Sequence, residues 1–205
     1  MSMPDSLNAL FITILVLLGG YQIYLLPQKY QLRKYFNLNT GLDDLIPFRP
    51  RWVWAYCFLY YPFLASVILT MNDLRHFSFV ITSFILLLVL QVSLAFLIPV
   101  KTPDSWRSYD PDNSRSEKFL SNLQIIDQGG NCFPSMHVSA VFLTLFHILA
   151  NISDWLTPWT GVMFLAAFLI SASTVFTKQH FVLDIPGGIV LAGFVYWLFQ
   201  QVYQA

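Results

Sequence analysis

Two histidines carry the chemistry that this sequence offers. His137 closes a polar, turn-rich stretch, Gly129-Gly-Asn-Cys-Phe-Pro-Ser-Met-His-Val-Ser139, and an apolar run from Val138 to Ile152 follows it. Pro134 suits the first turn of a helix, where a missing N–H costs nothing. That reading puts Ser135 and His137 in the first turn, beside unpaired backbone N–H groups and the positive end of the helix dipole, which together make an anion site. A histidine held there can exchange a proton with a bound phosphate. The second histidine lies in Ser173-Thr-Val-Phe-Thr-Lys-Gln-His-Phe-Val-Leu-Asp184. His180 and Asp184 are four residues apart, so on a helix they share a face. A carboxylate bonded to one imidazole nitrogen fixes the tautomer and leaves the other nitrogen as nucleophile or base. Pro186 sets the start of the regular helix nearby, so His180 is expected in the turn leading into it. Lys178 supplies a cation beside it.

These residues need elements to hold them, and the composition says which kind. Of 205 residues, 56% are hydrophobic and 11% are charged, where a soluble domain carries about 25% charged residues. The apolar residues run together instead of alternating at amphipathic spacing. The expectation is an all-α, multi-pass integral membrane bundle, one domain over residues 1–205. Six spans of about 20 residues can be marked. They are Leu7 to Leu26, stopped by Pro27; Trp52 to Met71, with Pro62 as a kink; Phe77 to Ile98, stopped by Pro99; Pro134 to Ile152; Trp159 to Phe176; and Ile185 to Tyr203. The first lacks a basic leader and a small-residue cleavage site and reads as a retained helix. Aromatic residues near span ends (Tyr21, Tyr24, Trp52, Trp54, Trp155, Trp159, Tyr196, Trp197) read as interfacial belts.

With six spans, the long connections 27–51 and 99–133 and the short loop at Lys178 fall on one side, with every basic residue but Arg75. The positive-inside rule would make that side cytoplasmic; a phosphate site would also collect Lys and Arg there. Net charge is zero, so nothing argues for nucleic acid. Cys57 and Cys132 read as two free thiols. His76 reads as a solvated turn residue and His147 as a bundle-interior hydrogen bonder. No Cys or Glu converges with His147, so no metal is expected. Gly187, Gly188 and Gly193 suit close helix packing.

His137 and His180 head the fourth and sixth spans on the same membrane side. Two histidines facing one phosphate, one attacking phosphorus and one protonating the leaving oxygen, complete a double-displacement apparatus. The Pro-Ser-Met-His stretch at 134–137 and the His-Phe-Val-Leu-Asp stretch at 180–184 resemble the second and third signature motifs of the type 2 phosphatidic acid phosphatase (PAP2) superfamily. That resemblance implies a metal-independent, cofactor-free enzyme. In it His180 becomes phosphorylated, Asp184 orients it, His137 is the general acid and Ser135 binds phosphate. The departures concern cations. Ser173 and Thr174 stand where the family has Ser-Arg, and Lys101 and Arg107 have five residues between them and no proline after. Lys178, Lys101 and Arg107 are the candidates for phosphate binding. The degenerate pattern, with Asp44-Leu-Ile-Pro-Phe and Thr177-Lys-Gln-His-Phe, is closest in look to the inositol phosphorylceramide synthase branch. That implies a phospholipid or sphingolipid phosphate substrate and an alcohol acceptor such as inositol; a plain phosphatase uses water instead. The plainer readings stay open: His137 as a helix cap, His180 and Asp184 as a structural ion pair, and Lys101, Arg107 and Lys178 as interfacial anchors. So do a transporter and a non-catalytic lipid-binding protein.

Overall fold

The computed structural model describes residues 1–152 and 157–203. Trp155 lies outside the described residues. The protein is an all-α membrane bundle with nine α-helices among the described residues: α1 Met3–Tyr24, α2 Leu26–Lys29, α3 Gly41–Leu45, α4 Tyr60–Ser66, α5 Leu74–Leu97, α6 Arg115–Ile126, α7 Met136–Ala150, α8 Pro158–Phe176 and α9 Asp184–Tyr203. Five stretches are long and apolar enough to cross a membrane: Met3–Lys29, Pro50–Thr70, Leu74–Leu97, Pro158–Phe176 and Asp184–Tyr203. Leu7, Phe11, Leu18 and Phe168 on these helices stand exposed. Large apolar side chains facing outward are what a lipid solvent requires, and the multi-pass integral membrane location follows.

The expected fourth span is an apolar helix, shorter than expected. α7 has 15 residues, about 22 Å of helix against a hydrocarbon core of about 30 Å. It does not need to span alone, because it is the centre of the bundle. It packs on α9, α8, α4 and α5, and Val138, Val141, Leu143 and Ile148 on different sides of it are sealed from solvent. A helix covered on all sides can be apolar on all sides, which is why its sequence resembles a membrane span.

Caps set where the helices begin. Ser2, Asp73, Ser114, Ser135 and Thr157 each turn a side-chain oxygen back to the backbone N–H three residues on, satisfying a donor that the helix leaves free. Asp73 starts α5 three residues earlier than the apolar run suggests. His76 therefore sits in the first turn of α5, 4% exposed and stacked on Tyr203 with ring centroids 5.1 Å apart; it is not solvated. His147 keeps its expected role, 2.9 Å from Ser83 Oγ inside the bundle.

Pro62 disturbs its span as expected, over several residues. The stretch runs as a 3₁₀ turn (Pro50–Trp52), a π-helical segment (Ala55–Leu59), then α4, then a 3₁₀ turn (Val67–Thr70). Proline inside a helix removes one bond and clashes with the carbonyl four residues back. The wider π turn just before it absorbs the mismatch and swings Tyr56 and Tyr60 toward α7.

The long connections gather on one side. Phe36 N–H donates to Pro99 O (2.8 Å) and Lys101 N–H to Phe36 O (3.2 Å); Cys132 N–H donates to Val100 O (3.1 Å) and Thr102 N–H to Gly129 O (3.3 Å). Residues 36, 99–102 and 129–132 thus form one hydrogen-bonded layer. Helix α6 in the second connection is not anticipated by the reading of that stretch as loop. Trp54 fixes it to the bundle, stacking on Phe119 at 5.1 Å and donating to Ser116 Oγ at 3.0 Å. Trp52 likewise stacks on Phe176 at 4.8 Å. Trp52 serves internal packing, while Trp54, Trp159 and Trp197 stay exposed as belt residues do.

Candidate active site

The site forms where the start of α7 meets the start of α9. Gly187 and Gly188 allow it. A Cβ on Gly187 would lie 2.8 Å from the Phe133 ring, and one on Gly188 would lie 2.9 Å from Val138 Cβ and 3.0 Å from Ser135 O. Only hydrogen in place of a side chain lets α9 press this closely on the polar loop. Gly193 has open space instead, so the packing role expected for it does not hold. Ser135 N–H donates to Asp184 O at 3.3 Å and ties the two helix starts together. Pro134 lies before the helix, since Ser135 is the N-cap; its carbonyl accepts from Gln91 of α5.

His180 sits in the turn before α9, as expected. Its Nδ1 lies 2.9 Å from Cys132 O and 3.1 Å from Asp184 Oδ2. A backbone carbonyl only accepts, so Nδ1 carries the proton and Nε2 keeps its lone pair. Asp184 Oδ2 also accepts from Phe181 N–H at 2.8 Å, so the carboxylate fixes ring and backbone together. The backbone nitrogens of His180 and of the residue before it are held as well. Gln179 and His180 N–H both donate to Thr174 O, at 3.0 and 3.1 Å. Thr174, where the family pattern has arginine, is fully buried and contributes its carbonyl.

A residue absent from the sequence expectations completes this turn. Asp43 in α3 is 2% exposed. Its Oδ1 accepts from Val182 N–H at 2.7 Å, its Oδ2 from Thr40 N–H and Oγ1 at 2.8 and 2.7 Å, and its carbonyl from Lys178 Nζ at 2.6 Å. Lys178 and Val182 bracket His180, so one aspartate from the first long connection holds both shoulders of the turn. The sequence carried one signal, the capping box Thr40-x-x-Asp43. Lys178 also lies over the Trp106 ring, 4.6 Å from its centroid, and Trp106 packs on Phe181 at 5.1 Å. Burial lowers the Lys178 pKa, and the carboxylates of Asp43 and Asp44 work against that.

His137 is held differently. It is the second residue of α7, and its ring stacks on Tyr56 at 4.0 Å and packs on Tyr60 at 4.4 Å. Among the described residues nothing hydrogen-bonds its ring. The His137 and His180 ring centroids are 6.3 Å apart with planes inclined at 60°. Reacting atoms in a near-attack arrangement stand about 3–3.5 Å apart, so two rings at this separation are close enough to reach the same phosphoryl group.

The other expected site residues divide. Ser135 is fully buried and spends its Oγ on the α7 cap, 3.5 Å from Val138 N. Lys101 pairs with exposed Asp104 at 2.8 Å. Arg107 donates from Nη1 to Asp127 O at 2.8 Å and Gln124 O at 3.3 Å, while its buried Nε and Nη2 have no partner among the described residues. Nη2 points at Gly129, where a Cβ would lie 2.2 Å from it. Arg107 thus brings unused donors to the loop that carries His137, whereas Lys101 and Lys178 are already engaged.

Cys132 Sγ, His180 and Asp184 bring possible metal-ligand atoms within 4.8 Å of one another, among the described residues. Their chemistry does not suit a cation as they stand. Cys132 Sγ lies 2.9 Å from Gly129 O as a donor, and burial pushes the thiol pKa well up; a metal needs the thiolate. Nδ1 of His180 is protonated toward two acceptors.

A cavity of about 280 Å³ opens on the His137 side. Tyr21 and Tyr24 of α1, Tyr56 and Tyr60 of the broken span, and His137 itself line it.

No curated protein and no solved structure matches this chain. Residues 22–198 match the family model described as PAP2 superfamily, a superfamily generally of phosphatases and phosphotransferases. With most of its length so matched and both histidine motifs inside the match, the chain belongs to the PAP2 superfamily.

Proposed function

We propose that this protein is a membrane lipid phosphotransferase or phosphatase that works through a phosphohistidine on His180, without a metal. The observation that carries this reading is the opposition of the two imidazoles at 6.3 Å, with the Nδ1 of one committed to Cys132 O and Asp184. In the first step His180 Nε2 attacks phosphorus, the bond from phosphorus to the lipid oxygen breaks, and His137 gives that oxygen a proton. In the second step an alcohol or water gives a proton back to His137 and attacks the phosphohistidine, releasing Nε2. Asp184 holds the tautomer and stabilises the charge on His180. Arg107 is the cation assigned to the phosphate, because its Nε and Nη2 have donors to spare. Ser135 supports the phosphate through the α7 start that it caps, where free N–H groups and the helix dipole favour an anion.

The transferase form is the first reading. It rests on the resemblance to the inositol phosphorylceramide synthase branch and on the apolar walls of the cavity beside His137, which suit an alcohol with a chain better than water. The test is a panel of phospholipid and sphingolipid phosphates assayed with and without inositol or lipid alcohols, following the phosphoryl group. Transfer to an added alcohol, with little free phosphate in its absence, is the expected result. A burst of inorganic phosphate with no acceptor present would establish the hydrolase instead.

A further inference from the structure

The His180 turn holds a polar group that no partner takes up. Gln179 is 6% exposed, and its Nε2 has no hydrogen-bond partner among the described residues. The backbone of Gln179 is already engaged. Its N–H donates to Thr174 O at 3.0 Å, and its carbonyl lies 3.6 Å from Cys132 Sγ. With those groups turned to α8 and to the 129–132 loop, the side chain is what remains to face the site. Of the buried polar atoms without a partner among the described residues, Gln179 Nε2 alone belongs to a residue that also borders the cavity beside His137. Gln179 thus stands next to His180 along the chain and shares a wall with His137. A buried amide donor left unmet is costly, and a ligand oxygen that accepts from it removes that cost.

The departure in the third motif gives this donor a task. Thr174 stands where the family pattern has arginine. Its hydroxyl donates to Ser171 O at 2.7 Å, so it has no proton left for a phosphate. Its carbonyl instead fixes the N–H groups of Gln179 and His180. Lys178 is turned to Asp43 O. We propose, resting on the phosphohistidine reading, that Gln179 is a catalytic residue. Its Nε2 donates to a non-bridging oxygen of the phosphoryl group while that group passes between His180 Nε2 and the alcohol oxygen. The residue in the arginine's position thus places the residue that does part of the arginine's work. An amide supplies a directed hydrogen bond and no charge. It acts where a preorganised donor counts most, on oxygens whose charge changes in the transition state. No bond to Gln179 forms or breaks in either displacement.

The test uses the full-length protein in mixed micelles, nitrophenyl phosphate radiolabelled at phosphorus, and inorganic vanadate as a mimic of the in-line transition state. Gln179→Met keeps the length of the side chain and removes the donor. Gln179→Glu keeps the shape and sets a carboxylate against the phosphate. Each should slow labelling of His180 by at least about 10²-fold, the scale of losing one such donor. Each should also weaken inhibition by vanadate by a comparable factor, with the loss in kcat more than in KM. Thermal stability should stay at the wild-type value, because Nε2 holds nothing in the unliganded protein. Should Gln179→Met fail to fold, the isosteric Gln179→Glu decides. Labelling within about threefold of wild type overturns the assignment. So does a slowdown that comes with lower thermal stability and unchanged vanadate inhibition, which is what a packing role would give. A wild-type protein that nitrophenyl phosphate never labels overturns the phosphohistidine reading itself. A labelled wild type with unaffected variants overturns only the part given to Gln179.

Discussion

The two histidines occupy opposite kinds of surroundings. The turn around His180 is fixed from every side. Its ring is bonded to Cys132 O and Asp184, its neighbours Lys178 and Val182 to Asp43, its own N–H to Thr174 O, and Phe181 is packed by Trp106. The His137 ring is gripped by two tyrosine faces and by no hydrogen bond among the described residues. The difference follows the work each ring would do. A nucleophile needs one nitrogen aimed and one tautomer enforced. A group that gives and then takes a proton needs neither nitrogen committed to a permanent partner, and aromatic faces can hold its plane while leaving the nitrogens free. The His180 side of the site is polar and rigid, and the His137 side is apolar and roomy.

The strongest way to break this contrast is to remove the mobile proton. His137→Gln should lower turnover of an alkyl phosphate by about 10²–10⁴-fold, the usual worth of general acid–base catalysis. Nitrophenyl phosphate, whose leaving group needs no proton, should still phosphorylate the protein within about tenfold of wild type. Equal losses on both substrates would mean that His137 only shapes the helix start. A smaller effect sharpens the rigid side. Asp43→Ala frees the Val182 shoulder of the His180 turn and the Thr40 cap without touching substrate, while the Asp43 carbonyl that holds Lys178 remains; it should lower kcat about 10- to 100-fold with little change in KM, as small misplacements do. Asp43→Asn, which keeps one acceptor oxygen, should fall between. Parallel loss of kcat, KM and thermal stability would make Asp43 a general structural residue.

The sequence made the rigid side only partly legible. His180 and Asp184 were readable because their relation is local, four residues and one turn. Asp43 was not, because its partners lie 135 and 139 residues away and only its local capping box could be read. For the same reason Lys178 looked like a free cation, while its ammonium is engaged by a carbonyl from another loop. Hydropathy located the bundle, yet it drew α7 longer than its 15 residues, because a helix buried by protein and one buried by lipid carry the same residues. The helix α6 was missed although Ser114-x-x-Glu117 marks its start, since its surroundings are polar and the pattern search favoured apolar runs. The cavity was invisible, since it depends on where the π turn before Pro62 aims Tyr56 and Tyr60.

The most direct measurement is the fate of radiolabelled phosphate after brief exposure of the purified protein to a labelled lipid phosphate and acid or alkaline treatment. The account predicts protein-bound label that is lost in acid, kept in alkali, and absent in His180→Ala. Label that persists in His180→Ala, or turnover with no protein-bound label at any time, would contradict it.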